Sequence, residues 1–430
     1  MRWPSVPLGQ IAELIGGSTP SRDRPEFWGG SIPWITPTDL PMPGKGIAIV
    51  ADSSEKITEE GLASSSANLL PVGTVLFSSR ATIGKLAITK VPVATNQGFA
   101  NFVAGPAVDN RYLAWVLQHQ TPSILRLAGS TTFKEVTKTS LKTFPIPLPP
   151  LSEQRRIAEI LDEVARLRAL RLAADAKSAG ILRAGFEHYF GRSEAWHPRS
   201  CETTEALGNL VSISSGGTPS KAVAEYWDGD IPWVSPKDMK RAFLEDSEDH
   251  ISRKALEDGA ASTVPVNSLL IVVRGMILAR RVPIGMNLKP VAINQDIKAL
   301  TISDERVSSL FLLAALQALD QTLFERVSTA AHGTRKLDTE RLLSLRIPVP
   351  RRAEHEAYCD WFQELRKVQD TQEQARDDLE RIFTVVLDRA FSGRLTEKWR
   401  AAHMLKLAGE INEQARLLER ARQITTEVLK

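Results

Sequence analysis

The chain has 430 residues, 54 Lys and Arg against 51 Asp and Glu, a formal net charge of +3 and a pI of about 8.8. That length accommodates two or three domains with real cores, and 43% apolar with 24% charged residues is the make-up of an ordinary water-soluble chain. Cys201 and Cys359 stand alone, which leaves no disulfide framework and no four-ligand zinc site. No apolar run is long enough for a membrane helix, and MRWPSVPLGQ is not followed by the apolar segment of a secretory signal. The expected location is the cytoplasm, and the weakly basic balance permits nucleic-acid binding without demanding it.

In chain order, residues 1–150 are rich in Gly, Pro, Ser and Thr, with short β-like runs at Val72–Ser78, Leu86–Ile88 and Phe144–Leu148 and a helical stretch at Tyr112–Arg126. After Pro149-Pro150 the texture changes. Ser152 is a candidate N-cap and Glu153 suits the positive end of a helix dipole. Residues 152–190 carry no Pro, and Ile157, Ile160, Val164, Leu167, Ala174 and Ile181 recur at heptad-like spacing. Residues 197–351 return to the first texture, with strands at Ser268–Val273, Val291–Ile293 and Leu345–Val349 and a helix at Ser308–Val327. A second long helix comes after Pro350, with Tyr358, Trp361, Leu365, Val368, Ala375, Leu379, Ile382 and Val386 on its stripe. Each long helix would span roughly 55–60 Å. Neither can bury its stripe alone, so antiparallel pairing of the two is the expected solution; packing of each on its own domain is the alternative. Residues 401–430 predict a further amphipathic helix, either a brace for the pair or a docking arm.

The chain says nearly the same thing twice. Leu8-Gly9, Gly16-Gly17-Ser18-Thr19-Pro20-Ser21, Trp28, Ile32-Pro33-Trp34, Pro37 and Asp39 recur as Leu207-Gly208, Ser215-Gly216-Gly217-Thr218-Pro219-Ser220, Trp227, Ile231-Pro232-Trp233, Pro236 and Asp238. Asn96-Gln97 then matches Asn294-Gln295, Ile146-Pro147 matches Ile347-Pro348, and Glu194-x-Trp196 matches Glu397-x-Trp399. The period is far too long for a solenoid repeat and marks a duplicated domain. The boundaries read from sequence are a first domain at 1–150, a long helix at 151–196, a second domain at 197–351, a long helix at 352–400 and a terminal helix at 401–430. The fold class is α/β (mixed α+β), with two duplicated globular domains separated by two long antiparallel coiled-coil helices in a pseudo-two-fold arrangement.

Catalytic constellations are missing. Gly84-Lys85 lacks the upstream Gly of a phosphate-binding loop, no GxGxxG follows a strand, and no Asn/Asp-Pro-Pro-aromatic segment occurs. His355-Glu356 lacks the second His of a zinc-protease helix and is expected on a solvated polar face. No metal site and no cofactor is expected in this chain.

Gly-Gly-x-Thr-Pro-Ser, aromatic-Trp, Ile-Pro-Trp-[Ile/Val]-[Thr/Ser]-Pro-x-Asp and Asn-Gln together resemble the target-recognition domain of type I restriction–modification specificity (S) subunits. Ile146-Pro147-Leu148-Pro149-Pro150-Leu151-Ser152-Glu153-Gln154-Arg155-Arg156-Ile157-Ala158 resembles the join to the helix that follows such a domain, and Ala390-Phe391-Ser392-Gly393-Arg394-Leu395-Thr396 the end of the second helix. The second join, Ile347-Pro348-Val349-Pro350-Arg351-Arg352-Ala353-Glu354, departs from the Leu-Ser-Glu-Gln form. The resemblance implies a non-catalytic reader of double-stranded DNA in which each domain reads half of a bipartite, asymmetric site and the helices set the gap. It implies two modification (methyltransferase) subunits and, in the cleaving complex, two restriction subunits, with S-adenosylmethionine, ATP and Mg on those partners. An S-like reader for a methyltransferase-only or other defence complex, a DNA-modifying or DNA-cutting enzyme, and a purely structural coiled coil are the competing readings; the last leaves the duplicated domains unexplained.

Phosphate contacts call for cations, and base edges for forked or amide donors. The candidates in the first domain are Ser18, Thr19, Ser21, Arg22, Lys45, Arg80, Lys85, Gln97, Thr131, Thr132 and Lys134. In the second they are Thr218, Ser220, Lys221, Lys237, Arg274, Arg280, Arg281, Gln295, Thr334, Arg335 and Lys336. Half-sites of different sequence need different readers, so residues that differ between halves, such as Lys45, Lys85, Arg280 and Arg281, are the stronger base-reading candidates. Trp28, Trp34, Trp227 and Trp233 are expected in the core. The helix-pairing set is Ile157, Ile160, Val164, Leu167, Trp361, Leu365, Val368, Leu379 and Ile382.

Overall fold

The computed structural model describes residues 3–44, 46–128, 135–178, 180–192, 195–196, 200–329 and 334–428. The chain divides into two units, Met1–Arg171 with Ala375–Lys430 and Leu172–Gln374, so both divisions fall inside long helices. The compact units therefore do not coincide with boundaries drawn at the ends of the globular sequence.

In the first unit, five strands lie in the order Ala12–Gly16, Phe99–Ala104, Val75–Ser78, Leu86–Thr89 and Ala48–Val50. All neighbours are antiparallel except the last pair. Trp28–Ile35 forms a second sheet, antiparallel to Glu55–Ile57 and parallel to Ala94–Thr95. The helix Asn110–Leu125 packs Leu113, Trp115, Val116 and Leu117 into a core with Val75, Phe77 and Phe102. Asp109 caps it, its carboxylate accepting from the N–H groups of Arg111 and Tyr112 at 3.0 and 3.3 Å.

The second unit repeats the arrangement. Its five strands are Val211–Ser215, Ile297–Ile302, Leu269–Val272, Ile284–Asn287 and Phe243–Leu244, again with only the last pair parallel. Ile231–Val234 lies between Asp249–Ile251 and Val291–Ile293, with Thr263–Val264 at the edge. The helix Ser309–Ala318, capped by Ser308, is the counterpart of Asn110–Leu125.

The first long helix is Leu151–Ser178, continued by Ile181–Phe190; the second is Arg352–Phe391. Within the first unit they run antiparallel: Glu153 meets Arg400 beyond the end of the second helix, while Arg168 meets Glu380 earlier in it, at 2.7 and 3.0 Å. Arg168 also lies 4.0 Å over the Phe383 ring. Ile157, Ala158 and Leu161 share one core with Phe383, Ala390, Phe391 and Tyr112. Within the second unit, Phe186 and Phe190 pack with Tyr358, Phe362 and Phe311. Gly185 is required there: a Cβ on it would lie 2.1 Å from the Trp361 ring.

Three expectations are corrected. Leu167, Val368 and Ile382 are 42, 53 and 51% exposed. Near each domain the buried face turns toward the globular core, so Ala158, Leu161, Phe362 and Phe383 replace them, while Ile160, Val164, Leu365 and Leu379 are half-buried. Ser152 is not the cap; its N–H and hydroxyl both donate to the Glu410 carboxylate of the terminal helix Met404–Val428. That helix braces the first unit, with Gln414 Nε2 donating to the carbonyls of Ala107 and Pro149 at 3.0 and 3.1 Å.

The third correction is His355, which is half-buried at the helix join instead of on a polar face. In the first unit the Asp109 N–H donates to Gln154 Oε1 at 2.8 Å. In the second, the Ser308 N–H and hydroxyl lie 3.3 and 3.1 Å from His355 Nε2, so that nitrogen accepts and carries no proton. Burial holds His355 below the ordinary histidine pKa. On acidification the unfolded chain binds this proton first, so folding stability falls as pH drops below about 6.5. His355→Gln, which installs the residue of the first join, should flatten that part of the stability–pH curve between about pH 7 and 5. Denaturant midpoints across this range check it, and an unchanged slope would refute the role given to His355.

Candidate nucleic-acid interface

Each unit presents the same loop, built the same way. Gly17 and Gly216 sit where the chain presses on the end of a strand: a Cβ on them would lie 2.1 Å from the Asn96 carbonyl and 1.9 Å from the Ile293 carbonyl. Ser18 N–H then donates to Thr95 O, and Gly217 N–H to Ile293 O, both at 2.9 Å. Two tryptophans pin the loop from beneath. Trp34 Nε1 donates to Ser18 O at 3.0 Å and Trp28 Nε1 to Ser21 O at 3.0 Å; Trp233 and Trp227 do the same to Gly217 O and Ser220 O at 2.9 and 3.2 Å. The paired rings meet edge to face at 5.0 and 5.1 Å. Trp34 and Trp233 are buried, as packing residues should be.

The loop delivers a threonine to an exposed glutamine. Thr19 Oγ1 donates to Gln97 Oε1 at 2.6 Å, and Thr218 makes the same bond to Gln295. The glutamines are set by Asx turns, Asn96 Oδ1 accepting from Gly98 N–H at 2.9 Å and Asn294 Oδ1 from Asp296 N–H at 3.1 Å. With Oε1 engaged, each amide leaves its NH2 group as an outward donor. The Pro-x-Asp motif closes the neighbouring turn: Asp39 accepts from the Thr36 N–H at 2.7 Å and Asp238 from the Ser235 N–H at 2.9 Å.

A third segment joins these. Ser79 N–H donates to Gly98 O and Val273 N–H to Asp296 O, both at 2.8 Å, which sets Arg80 and Arg274 beside the glutamine loops. Arg80 Nε donates to Glu135 at 2.7 Å. The backbones of Arg80 and Arg274 form equivalent antiparallel bridges, to Glu135 and to Lys336 on the hairpin Val327–Thr329/Arg335–Leu337.

The family described as "Type I restriction modification DNA specificity domain" matches residues 2–174 and 202–381, once over each repeat. The chain belongs to that family. It is 31% identical over 272 residues to the type I restriction enzyme MjaIX specificity subunit of Methanocaldococcus jannaschii, covering 60% of this chain and 62% of that protein. It is 31% identical over 221 residues to the EcoR124I/EcoR124II specificity subunit of Escherichia coli, covering 50 and 53%. The chain thus spans less than two thirds of the length of either relative. Among solved structures it is similar to a chain from work on complex assembly and conformational transition of the type I R-M system, with a TM-score of 0.57, 19% identity and 92 and 98% coverage. It is also similar to a type I restriction-modification S subunit from M. genitalium, with a TM-score of 0.51, 16% identity and 91 and 96% coverage.

The two specificity domains bring together Ser18, Thr19, Gln97 and Arg80, and likewise Thr218, Gln295, Arg274, Arg335 and Lys336. Ser21, Ser220 and Lys221 lie exposed on the pinned loops, and Thr334 is half-buried where the hairpin returns. Arg22 is tied down: it pairs with Glu55, with Nη2–Oε2 at 2.9 Å, and stacks 3.8 Å above Trp28. Its hydrogen bond holds the Glu55 carboxyl below the usual range. Lys237 is likewise paired, with Asp249 at 2.9 Å and Glu248 at 3.2 Å. Lys45, Thr131, Thr132 and Lys134 lie outside the described residues.

Lys85 departs most from expectation. It is buried, and its ammonium donates to the carbonyls of Pro37 and Leu40, holding the Pro-x-Asp turn from inside. Arg281 donates to Met239 O at 3.2 Å, and both it and Arg280 are exposed. Both line a cleft of about 380 Å³ with Lys240, Arg241 and Arg366, cations that sequence reasoning missed although Lys240-Arg241 is visible as a basic pair. Among the described residues no group of three or more His, Cys, Asp or Glu is placed to hold a metal ion.

Lys85→Met should cost about 1–3 kcal/mol of stability by leaving the half-buried Pro37 and buried Leu40 carbonyls without their donor, as read by denaturant unfolding. A loss of nucleic-acid affinity with stability intact would overturn the internal role. Trp233→Phe removes one bond under the second loop and should raise amide exchange at Gly217, whose N–H is anchored to Ile293, by about 2- to 10-fold.

Proposed function

We propose that this chain is the sequence-specificity subunit of a type I restriction–modification complex. Each domain reads one half of a bipartite, asymmetric site in double-stranded DNA. The carrying observation is the family match over both repeats, together with the Thr19–Gln97 and Thr218–Gln295 couples set beside arginine loops in each. Features shared by two readers of different sequences suit what all DNA has in common, so the outward glutamine amides and loop N–H groups serve the phosphate backbone. Cations and side chains that differ between the domains are left for the bases.

On this reading the chain is non-catalytic. Two modification subunits carry S-adenosylmethionine and the methyl transfer, and two restriction subunits carry ATP- and Mg-dependent cleavage. No helix among the described residues is long and apolar enough to cross a membrane, and action on cellular DNA puts the complex in the cytoplasm.

Long-read methylome sequencing of a methylation-deficient host tests this, comparing the modification subunit alone with the modification subunit plus this chain. A two-part motif with a constant gap, appearing only when this chain is expressed, is the expected outcome. A short continuous motif, or none despite complex formation, would overturn it.

A further inference from the structure

After one pair of equivalent strands the two specificity domains agree in backbone but differ in chemistry. Arg80 and Arg274 come after equivalent strands and each bridges to an equivalent segment. In the first domain the bridge partner is Glu135, which neutralises the guanidinium at 2.7 Å. In the second it is Lys336, whose own ammonium pairs with Asp338 at 2.5 Å. Among the described residues Arg274 therefore has no carboxylate within ion-pairing distance, and its side chain is exposed.

The chain then turns through a positive φ in both domains, 57° at Ala81 and 128° at Gly275. Beyond that turn the two connections diverge. In the first, the Thr82 carbonyl is held by the Ser78 hydroxyl at 2.6 Å, and the next strand opens at Leu86. In the second, a helical turn Met276–Ala279 intervenes and the strand opens only at Ile284. That turn is firmly seated: Leu278 is fully buried, and Gly275 N–H donates to Arg335 O at 3.1 Å. It nevertheless leaves Met276 69% exposed, between Arg274 and the Arg335–Lys336 strand.

A seated turn that displays an apolar side chain beside Arg274, a cation with no carboxylate partner among the described residues, fits a polyanion with apolar surface between its charges. DNA is such a partner, with phosphates flanking base edges and thymine methyl groups. We propose that Arg274 and Met276 form the base-reading tip of the second domain, Arg274 donating in a fork to guanine O6 and N7 and Met276 lying against the adjacent base. This rests on the specificity-subunit reading and gives it a residue-level determinant. The first domain has no equivalent tip, because Arg80 is neutralised and Thr82 stands in place of Met276.

The test is the same methylome comparison, run with Arg274→Gln, Arg274→Lys and Met276→Ala in the full complex, with thermal unfolding confirming that each variant folds. Arg274→Gln and Arg274→Lys should both relax one position of a single half-site by about 5- to 100-fold, leaving the other half and the gap unchanged. Lysine keeps the charge but loses the fork. Met276→Ala should weaken preference at the neighbouring position of the same half-site. Rescue by Arg274→Lys, or a uniform loss of methylation at every site with the motif intact, would identify a phosphate contact and overturn the proposal. An unchanged motif in all three variants would overturn it as well. A wild-type complex without any bipartite motif would sink the parent reading, an outcome distinct from an unaltered motif in the variants.

Discussion

Glu153 is a carboxylate with no exposed side-chain surface, and the organisation of the first unit depends on how that charge is met. A buried anion survives only where donors replace the water it has lost. Three do so here: Trp3 Nε1 at 3.1 Å, Thr396 Oγ1 at 2.6 Å and Arg400 Nε at 2.7 Å. They come from the first residues of the chain and from the segment after the second long helix. One side chain thus draws both remote parts of the sequence onto the start of the first long helix, which is why the unit is discontinuous. Gln414 reinforces the closure by donating to the Ala107 and Pro149 carbonyls that Gln154 also uses.

Duplication then divides the residues of each unit into frame and substituent. The paired tryptophans, the close-packed Gly17 and Gly216, the Asx turns and the Thr–Gln couples occur twice with nearly the same distances. Such a frame is common to both domains. They differ in what the frame carries: Glu135 against Lys336 as the arginine's bridge partner, Thr82 against Met276, and a longer connection in the second domain. The helix joins obey the same logic, since Gln154 and His355 receive the same backbone donor with a neutral amide in one unit and a titratable ring in the other. The specificity domain is therefore one backbone solution used twice with separate electrostatics.

Much of this was legible in the sequence, and the misses have particular causes. The repeat revealed the duplication and the strand runs, because backbone-driven motifs such as Gly-Gly and Ile-Pro-Trp keep their spacing. Lys85 reads as surface because it stands in a strand-edge turn, and only the position of the Pro37 and Leu40 carbonyls reveals its internal partners. Leu167, Val368 and Ile382 fit a heptad stripe, but helical periodicity does not say whether the buried face turns toward a partner helix or toward a domain core. Met276 carried no signal at all, since an apolar residue in an apolar run is expected inside.

By itself the sequence determined the duplication, the class of fold, the two long helices and the family, since these depend on local periodicity and on motifs whose spacing survives in one dimension. Tertiary structure alone decided which charges are spent. Arg22, Arg80, Lys85 and Arg274 are all basic residues in loops, yet one is stacked and paired, one paired, one buried on carbonyls and one left open. A cation's availability depends on what lies within a few ångströms of it, and for these residues those neighbours, from Glu55 to Lys336, stand tens of positions away along the chain.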